Sequence, residues 1–371
     1  MSFYRSSWCD VDLAQFRRNL VILNGIAGTK TLLVVKANAY GHGMVPIAEA
    51  ASAAGVDMLG VAATEEADQL LAAGIQTPIL VMTALDSREA EFCVAHGVHF
   101  LAWRTDQFKE AHQAAEAYQR QPLIHLEVDT GVSRSGVMVS EFRSLLDSLS
   151  SDEKAGIVGL ASHFYGADLE STAGAEDQLR DYLECVEVAE AYGLRPMLHI
   201  ANSPGTLRIP QSRLNLTRLG IAAYGLDPST YTPLPSGVAP ILSWKANVTD
   251  IRTIPAGRGV GYGWKFIAQS PSKLATFGVG YADGYRRTPE GINTVWIDGT
   301  EARVVGSVFM DQCVFLVPDG VSCSVGDTAV LLSGADDIPL SAEQLAIRWK
   351  TNNYDVVAGI RNRVPRRYSD S

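Results

Sequence analysis

Hydrophobic and polar positions between residues 30 and 225 repeat one pattern along the chain. A short apolar run, often β-branched, is followed by a stretch whose apolar positions recur with the helical period. The apolar runs predict eight strands, at 32–36, 58–62, 78–82, 99–103, 123–129, 157–163, 197–202 and 216–224. The stretches between them predict helices, among them 64–73, 87–96, 105–118, 140–149 and 175–192. Thr64 with Asp68, and Ser87 with Glu91, are the predicted starts of two of these helices.

Strands that alternate with helices predict a parallel sheet, because parallel neighbours need a crossover connection. Eight such units in about 200 residues favour an α/β fold of the (β/α)8 TIM-barrel type. An open doubly wound sheet is the alternative that this pattern leaves.

The residue pattern changes after about residue 235, where Val, Thr and Gly dominate and Asp-Gly turns recur at 283, 298 and 319. These features predict a C-terminal antiparallel β domain that contains one helix, 341–349. The segment 4–10 is a candidate strand of the same domain, before a first helix at 11–23. We therefore expect a barrel domain over 11–235 and a β domain over 236–371 together with 1–10.

Composition narrows the classes of function. The chain has 371 residues, of which 47% are hydrophobic, and a net charge of −10, which argues against disorder and against nucleic-acid or anionic-membrane partners. The five cysteines are scattered without a C-x-x-C pair, and the histidines lack short ligand spacings, so we expect reduced thiols and no metal site. The first residues lack a signal-peptide apolar core, which predicts a cytoplasmic location.

Polar side chains close several of the predicted barrel strands. Barrel enzymes place their chemistry at the carboxyl ends of the strands, so these positions are candidates for a site. Lys36 closes the first strand, and it is either a solvated rim lysine or a partly desolvated Schiff-base lysine. Asp129 and Arg134 follow the fifth strand and His163 closes the sixth.

The segments after strands seven and eight are where barrels often bind phosphate. They carry His199, Asn202 and Ser203, and then Arg218 and the Gly220 amide. A lysine, a phosphate site and several bases together indicate pyridoxal 5'-phosphate (PLP) as the cofactor.

Motifs along nearly the whole chain, from Trp8 to Tyr368, then match one family. They are VVKANAYGHG around Lys36, HIANSPG, TRLGIAAYG, GYGW, GYADGY, VFMDQ and RVPRRY. In their order and residues they resemble the bacterial alanine racemases, which are fold-type III PLP enzymes. The resemblance implies interconversion of L- and D-alanine, supply of D-alanine for peptidoglycan, and a head-to-tail homodimer with shared active sites.

The resemblance also implies a role for each site residue. Lys36 would carry PLP and act on the D-side proton, and Tyr262 from the partner subunit would act on the L-side proton. Arg218 would face the pyridine nitrogen, and His163 would link Arg218 to Tyr262. The residues that would hold the phosphate are Tyr40, Ser203, Gly220, Ile221 and Tyr354. The residues that would meet the substrate are Arg134, Met310, Asp311 and Tyr281.

Three positions depart from the family pattern. Glu127 stands where many members carry a carbamylated lysine, so we expect no carbamate, and Glu127 either faces Arg134 or has another partner. Phe309 replaces a frequent cysteine and Arg286 a frequent proline, both near the expected entrance. A racemase of broader or serine specificity therefore stays open. The β domain with Tyr262 argues against a PLP carrier, and no catalytic cysteine motif supports a decarboxylase.

Overall fold

The computed structural model describes residues 5–335 and 337–370. Its strands, numbered along the chain, are β1 Ser7–Asp12, β2 Lys30–Val34, β3 Met58–Val61, β4 Ile79–Val81, β5 His99–Ala102, β6 Ile124–Asp129, β7 Val137–Met138, β8 Ile157–Ala161, β9 Met197–His199, β10 Leu216–Leu219, β11 Leu242–Ile254, β12 Gly259–Val260, β13 Phe266–Ile267, β14 Ser272–Phe277, β15 Thr294–Ile297, β16 Thr300–Arg303, β17 Cys313–Leu316, β18 Thr328–Leu332 and β19 Arg366–Ser369.

The α-helices are α1 Leu13–Ala27, α2 Lys36–Tyr40, α3 Met44–Ala53, α4 Thr64–Ala72, α5 Ser87–His96, α6 Thr105–Tyr118, α7 Phe142–Ser148, α8 Ser151–Ala155, α9 Ala173–Ala191, α10 Ser203–Arg208, α11 Ala342–Trp349 and α12 Asn353–Ala358. Short 3-10 helices cover Val139–Glu141, Pro210–Ser212, Ile221–Tyr224, Tyr262–Trp264 and Tyr281–Asp283.

Eight parallel strands form a nearly closed barrel in the order β10-β2-β3-β4-β5-β6-β8-β9. Two backbone hydrogen bonds connect β9 and β10, the strands at the two ends of this order, or residues next to them. Arg218 N donates to Ala201 O at 2.9 Å, and Asn215 N donates to Leu198 O at 3.3 Å. The predicted (β/α)8 barrel is therefore confirmed, and the doubly wound alternative is wrong. Every residue of β3 and β4 is buried, as expected for parallel strands covered on both faces.

Several predicted boundaries were wrong. Strand β2 ends at Val34 rather than Lys36, β8 at Ala161, β9 at His199 and β10 at Leu219. In each case the chain beyond the observed end leaves the regular parallel ladder for a turn, a loop or a short helix. The barrel rim therefore consists of these turns, which is where the predicted site residues lie.

The predicted helix starts need a similar correction. Asp86, not Ser87, is the N-cap of α5, because its carboxylate accepts from the amides of Arg88 and Glu89, and Glu89 completes a capping box. Thr64 is the first residue of α4 and does not cap it, since Ala63 occupies the N-cap position.

A second sheet lies in the C-terminal part of the chain and follows the order β16-β15-β18-β11-β1-β19, with β14 paired to β11 and β17 paired to β14. Its pairs are antiparallel except for β1 with β19, which is parallel. Ser7–Asp12 thus joins this sheet as an N-terminal strand, while Tyr4 of the predicted strand lies outside the described residues. Ser341 caps α11, and α12, which was not predicted, follows it.

Two further findings concern the described chain as a whole. All five cysteines are buried and free. In the part of the chain that the structure describes, no helix has the length and apolar character to cross a membrane.

Candidate active site

A cavity of about 360 Å³ opens at the carboxyl ends of the barrel strands. The structure brings nine of the predicted site residues together in its lining, namely Lys36, Tyr40, Arg134, His163, Ser203, Arg218, Gly220, Ile221 and Tyr354. They come from five different strand ends and from α12, so only the folded barrel makes them neighbours.

The turn that carries Lys36 has an unusual backbone. The four residues 37–40 have φ between 51° and 55°, which places a run of non-glycine residues in the left-handed region. This conformation costs an L-residue about 1–2 kcal/mol, because its Cβ approaches the following carbonyl oxygen. Lys36 and Tyr40, at the two ends of this left-handed turn, both line the cavity. Backbone strain of this kind concentrates at functional sites.

Side chains from two other parts of the fold hold the left-handed turn. Glu66 accepts hydrogen bonds from Ala37 N at 2.7 Å and from Ala62 N at 2.8 Å. The Asn38 side chain accepts from Met44 N at 2.8 Å and donates to Asn362 Oδ1 at 3.0 Å. These bonds offset the strain and fix the direction in which the Lys36 side chain leaves the backbone.

The Lys36 amine is easier to deprotonate than an ordinary lysine. Burial lowers the pKa of Lys36, the nearby Arg134 and Arg218 guanidinium groups lower it further, and only Glu66 opposes them. A neutral amine is the form that attacks a carbonyl carbon or takes a proton. The structure therefore favours the Schiff-base interpretation of Lys36 over that of a solvated rim lysine.

A small cradle of hydroxyls and amides lines the same cavity as Lys36. The Gly220 amide donates to Ser203 Oγ at 2.9 Å, and a Cβ at Gly220 would come within 2.9 Å of the Tyr40 hydroxyl oxygen. Ser203 begins α10 and Ile221 begins a 3-10 helix, so their amides lack partners within these helices. The ring centroids of Tyr40 and Tyr354 are 6.1 Å apart. This arrangement suits an anion such as a phosphate.

Arg218 is buried, and acceptors surround its two terminal nitrogens. Nη1 donates to His199 Nδ1 at 2.9 Å and to His199 O at 3.0 Å. Nη2 donates to Ser162 O at 2.7 Å, to Ile200 O at 3.1 Å and to His163 Nδ1 at 3.1 Å. Burial lowers the pKa of Arg218 to about 10, so it remains a cation near neutral pH. Within residues 5–335 and 337–370 no acceptor bonds to Nε, which leaves this donor for a ligand.

His163 is neutral in this environment. Burial lowers its pKa to about 3, with further lowering by the cations Arg218, Arg134 and Lys36. The buried Gln178 side chain donates to His163 O at 3.0 Å and to Thr130 Oγ1 at 3.1 Å, which holds the end of β8. Since His163 accepts from Arg218 at Nδ1, its remaining proton is on Nε2.

Arg134 and Glu127 do not form the direct pair that was one of the predicted alternatives. Arg134 is exposed on a loop folded around Asp129, whose Oδ1 accepts from the amides of Gly131 and Ser133. Glu127 is buried in the cavity wall, and its Oε2 has no hydrogen-bond partner in the described chain. Burial raises the pKa of Glu127, against the opposing effects of Ser135, Arg218 and Arg134.

The four remaining predicted residues lie elsewhere, on the surface of the C-terminal part of the chain. None of Tyr262, Tyr281, Met310 and Asp311 lines the cavity. Tyr262 is 74% exposed and Met310 52% exposed. The four are neighbours of one another, and we call them the exposed cluster.

Backbone and side-chain contacts hold the exposed cluster together. Tyr281 N donates to Phe309 O at 3.0 Å, and the rings of Tyr262 and Phe309 are 5.3 Å apart. Asp311 pairs with Arg363. Phe309, one of the departures from the family pattern, thus supports the Tyr262 ring. Arg286, another of these departures, pairs with Asp355 of α12.

Several residues that shape the site were not predicted. The sequence around Glu66 does not indicate a role in the site, since an acidic residue in the first turn of a helix is common. The sequence around His125 does indicate an inward-facing polar position. In β6 the polar residues at 125, 127 and 129 alternate with Leu126 and Val128, which places them together on one face of the strand.

The chain was compared with known proteins. Family models described as the N-terminal and C-terminal domains of alanine racemase match residues 11–228 and 241–368. An alanine racemase from Desulfovibrio desulfuricans is 36% identical over 371 residues, which is 99% of each chain. The crystal structure of alanine racemase from Streptomyces lavendulae superposes with a TM-score of 0.94 at 34% identity, covering 100% of this chain and 98% of that one. The corresponding structure from Bartonella henselae gives 0.89 at 27% identity, covering 98% and 99%.

Proposed function

The chain belongs to the alanine racemase family, and from this membership we propose that two bases, Lys36 of one subunit and Tyr262 of its partner, exchange the α-proton of alanine. The family consists of PLP-dependent isomerases, and alanine racemisation is the reaction of this chain. The observation that carries the two-base proposal is the division of candidate residues between the cavity and the exposed cluster.

The cavity fits PLP by its donor set. The Bartonella henselae structure contains covalently bound PLP. Here the cavity offers an amine of lowered pKa in Lys36 and a hydroxyl and amide cradle at Tyr40, Ser203 and Gly220, whose missing side chain leaves the space. When bound, PLP supplies an electron sink that weakens the bond between the α-carbon and its hydrogen.

The residues of the cradle would hold the phosphate. Tyr40 and Tyr354 contribute hydroxyls, and Ser203 and Ile221 contribute amides at the starts of their helices. Gly220 has no side chain, which leaves space beside the Tyr40 hydroxyl. Its amide donates to Ser203 Oγ and keeps that hydroxyl in place.

Arg218 would direct its free Nε donor at the pyridine nitrogen. With a pKa of about 10 the Arg218 guanidinium stays protonated near neutral pH and can only donate, so with PLP bound it would leave that nitrogen unprotonated. This choice limits side reactions such as transamination.

The two bases serve opposite faces of the substrate. Lys36 Nζ takes or returns the proton on the D side, and Tyr262 Oη does so on the L side, because one rigid base cannot easily reach both faces. His163 carries its proton on Nε2, where it can donate to the oxygen of the partner's Tyr262.

The Tyr262 assignment requires a homodimer, since Tyr262 is exposed and outside the cavity of its own chain. In a head-to-tail pair, the exposed cluster of each subunit would close the barrel mouth of the other. Arg134 and the Met310 amide would then hold the substrate carboxylate. Tyr281 and Asp311 would line the entrance.

For the cell, we propose that the enzyme works in the cytoplasm and supplies D-alanine for peptidoglycan. Growth of a bacterium that lacks its own racemase, with and without D-alanine, tests this role. Rescue by the intact chain and no rescue by a Lys36→Ala variant is the expected result.

The reaction itself is tested with the purified, PLP-loaded protein and a panel of L-alanine, L-serine, L-lysine and L-arginine, with enantiomers separated by chiral chromatography. We expect fast turnover of alanine alone. Comparable turnover of serine or of the basic amino acids would support the broader-specificity alternative and direct attention to Phe309 and Arg286. No turnover of alanine would contradict the proposal.

A further inference from the structure

A continuous row of three imidazoles crosses the interior of the barrel beneath Arg218. His199 Nδ1 lies 2.9 Å from Arg218 Nη1, His125 Nδ1 lies 2.7 Å from His199 Nε2, and His99 Nδ1 lies 2.9 Å from His125 Nε2. His199 ends β9 at the catalytic end of the barrel, whereas His99 begins β5 at the opposite end. We call the three residues the histidine row.

The cation at one end of the row determines where every proton lies. A guanidinium can only donate, so His199 must accept at Nδ1 and carry its own proton on Nε2. That proton is donated to His125 Nδ1, so His125 also carries its proton on Nε2. The same step repeats at His99. All three rings are therefore neutral Nε2–H tautomers, and every hydrogen bond points away from Arg218.

The surroundings agree with neutral rings. Burial lowers the pKa of His125 and of His199 well below the ordinary value, and the Arg218 cation adds to the effect. Burial also lowers the pKa of His99 to about 4. Protonating any of the rings would place a second charge in a barrel interior that already holds Arg218.

The barrel makes room for this row. Barrel interiors are usually filled with branched aliphatic side chains. Here Gly159 is the cross-strand partner of His125, and a Cβ at Gly159 would lie 2.1 Å from His125 Nδ1. Among the three, only His199 lines the cavity, so His125 and His99 act at a distance from any ligand.

We propose that His99, His125 and His199 are positioning residues that hold Arg218 through a hydrogen-bond row of fixed polarity. The row fixes the Nη1 side of the guanidinium, so that Nε faces the cavity and Nη2 stays on His163. The inference rests on the proposed function of Arg218 toward the cofactor, but the polarity of the row can be measured without turnover.

The first test is the tautomeric state in the holoenzyme. Protein labelled with ¹⁵N at the histidine rings is examined by long-range ¹H–¹⁵N correlation at neutral pH, with single His→Gln variants to assign the signals. We expect Nε2–H tautomers for all three residues. An imidazolium or an Nδ1–H tautomer at any of them overturns the proposal, whether or not the enzyme racemises alanine.

The second test breaks the row at its middle. His125→Leu removes both hydrogen bonds at similar volume, whereas His125→Asn keeps an acceptor near the position of Nδ1. We expect His125→Leu to lower kcat for L-alanine by about tenfold or more, the factor for a lost hydrogen bond to a charged network, with little change in KM and a shifted cofactor absorbance band. His125→Asn should recover most of both.

A matched control separates positioning from general loosening of the barrel. Met58→Ala empties an equally buried barrel position outside the row and the cavity. It should lower Tm while leaving kcat and the absorbance band unchanged. If Met58→Ala reproduces the kinetic and spectral changes, or if His125→Leu keeps the wild-type kcat and band, the histidine row does not position Arg218.

Discussion

The barrel cavity and the exposed cluster are built in opposite ways. Around the cavity, hydrogen bonds hold Arg218, Ser203 and the turn that carries Lys36 before any ligand arrives, with five acceptors around Arg218 alone. In the exposed cluster, backbone bonds hold the loops, but the side chain of Tyr262, the proposed second base, lies in solvent. A preformed cavity and an unpartnered surface on one chain are what the proposed shared site requires, since each half would be completed by the other subunit.

Lys36→Ala is expected to have the largest effect, because it removes both the proposed attachment point of the cofactor and one of the two proposed bases. Racemisation should fall by more than about 10³-fold, and the absorbance of the covalently held cofactor should disappear. Lys30→Ala, at the exposed start of β2, is the control and should behave as wild type. A Lys36→Ala protein with the wild-type band would refute the assignment.

Tyr262→Phe tests the proposed role of the exposed cluster. Racemisation should fall by about 10²–10⁴-fold, the usual contribution of a positioned acid or base. Exchange of the α-proton into D₂O should slow much more for L-alanine than for D-alanine, because Lys36 still serves the D side. Tyr231→Phe removes another exposed tyrosine hydroxyl as a control. Equal slowing from the two enantiomers would contradict the separate roles.

Asn38→Ala tests how firmly the cavity is preformed, because it loosens the left-handed turn that carries Lys36. It removes two side-chain hydrogen bonds and places alanine at φ 55°, so the free energy of unfolding should drop by about 1–3 kcal/mol in urea denaturation. Asn38→Gly loses the same bonds but tolerates the backbone, so it should be less destabilised. If glycine is the worse of the two, strain in this turn is not what Asn38 relieves.

Glu127→Gln should have the smallest effect, and one that depends on pH. The raised pKa of Glu127 means that the native state keeps its proton above the ordinary value of 4.5, so stability from this group is present at low pH. It is lost as pH rises from 4.5 through the native pKa, by about 1.4 kcal/mol for each pH unit that separates the unfolded and native pKa values. The variant should lack this loss, so its stability relative to wild type should rise over that range. A difference that stays constant with pH would show that Glu127 has a partner in solution.

The sequence predicted the barrel because alternation of strand and helix is a local signal that only a few folds satisfy. The nine cavity residues followed from strand ends and from family motifs. The left-handed turn could not be predicted, since alanine and tyrosine disfavour it, and the bonds from Glu66 and Asn38 that support it involve residues distant in the sequence or in the next helix. The histidine row was missed because its three members are far apart in the sequence and meet only when the barrel closes.

If each active site takes Lys36 from one subunit and Tyr262 from the other, mixing two inactive variants should restore activity. Lys36→Ala and Tyr262→Ala proteins are dissociated together, reassociated in equal amounts and assayed with L-alanine. Half of the dimers are then hybrids with one intact site, so about a quarter of the wild-type activity should return. If the two variants regain no activity although mass spectrometry of the intact complexes shows hybrids, the two bases do not come from different subunits.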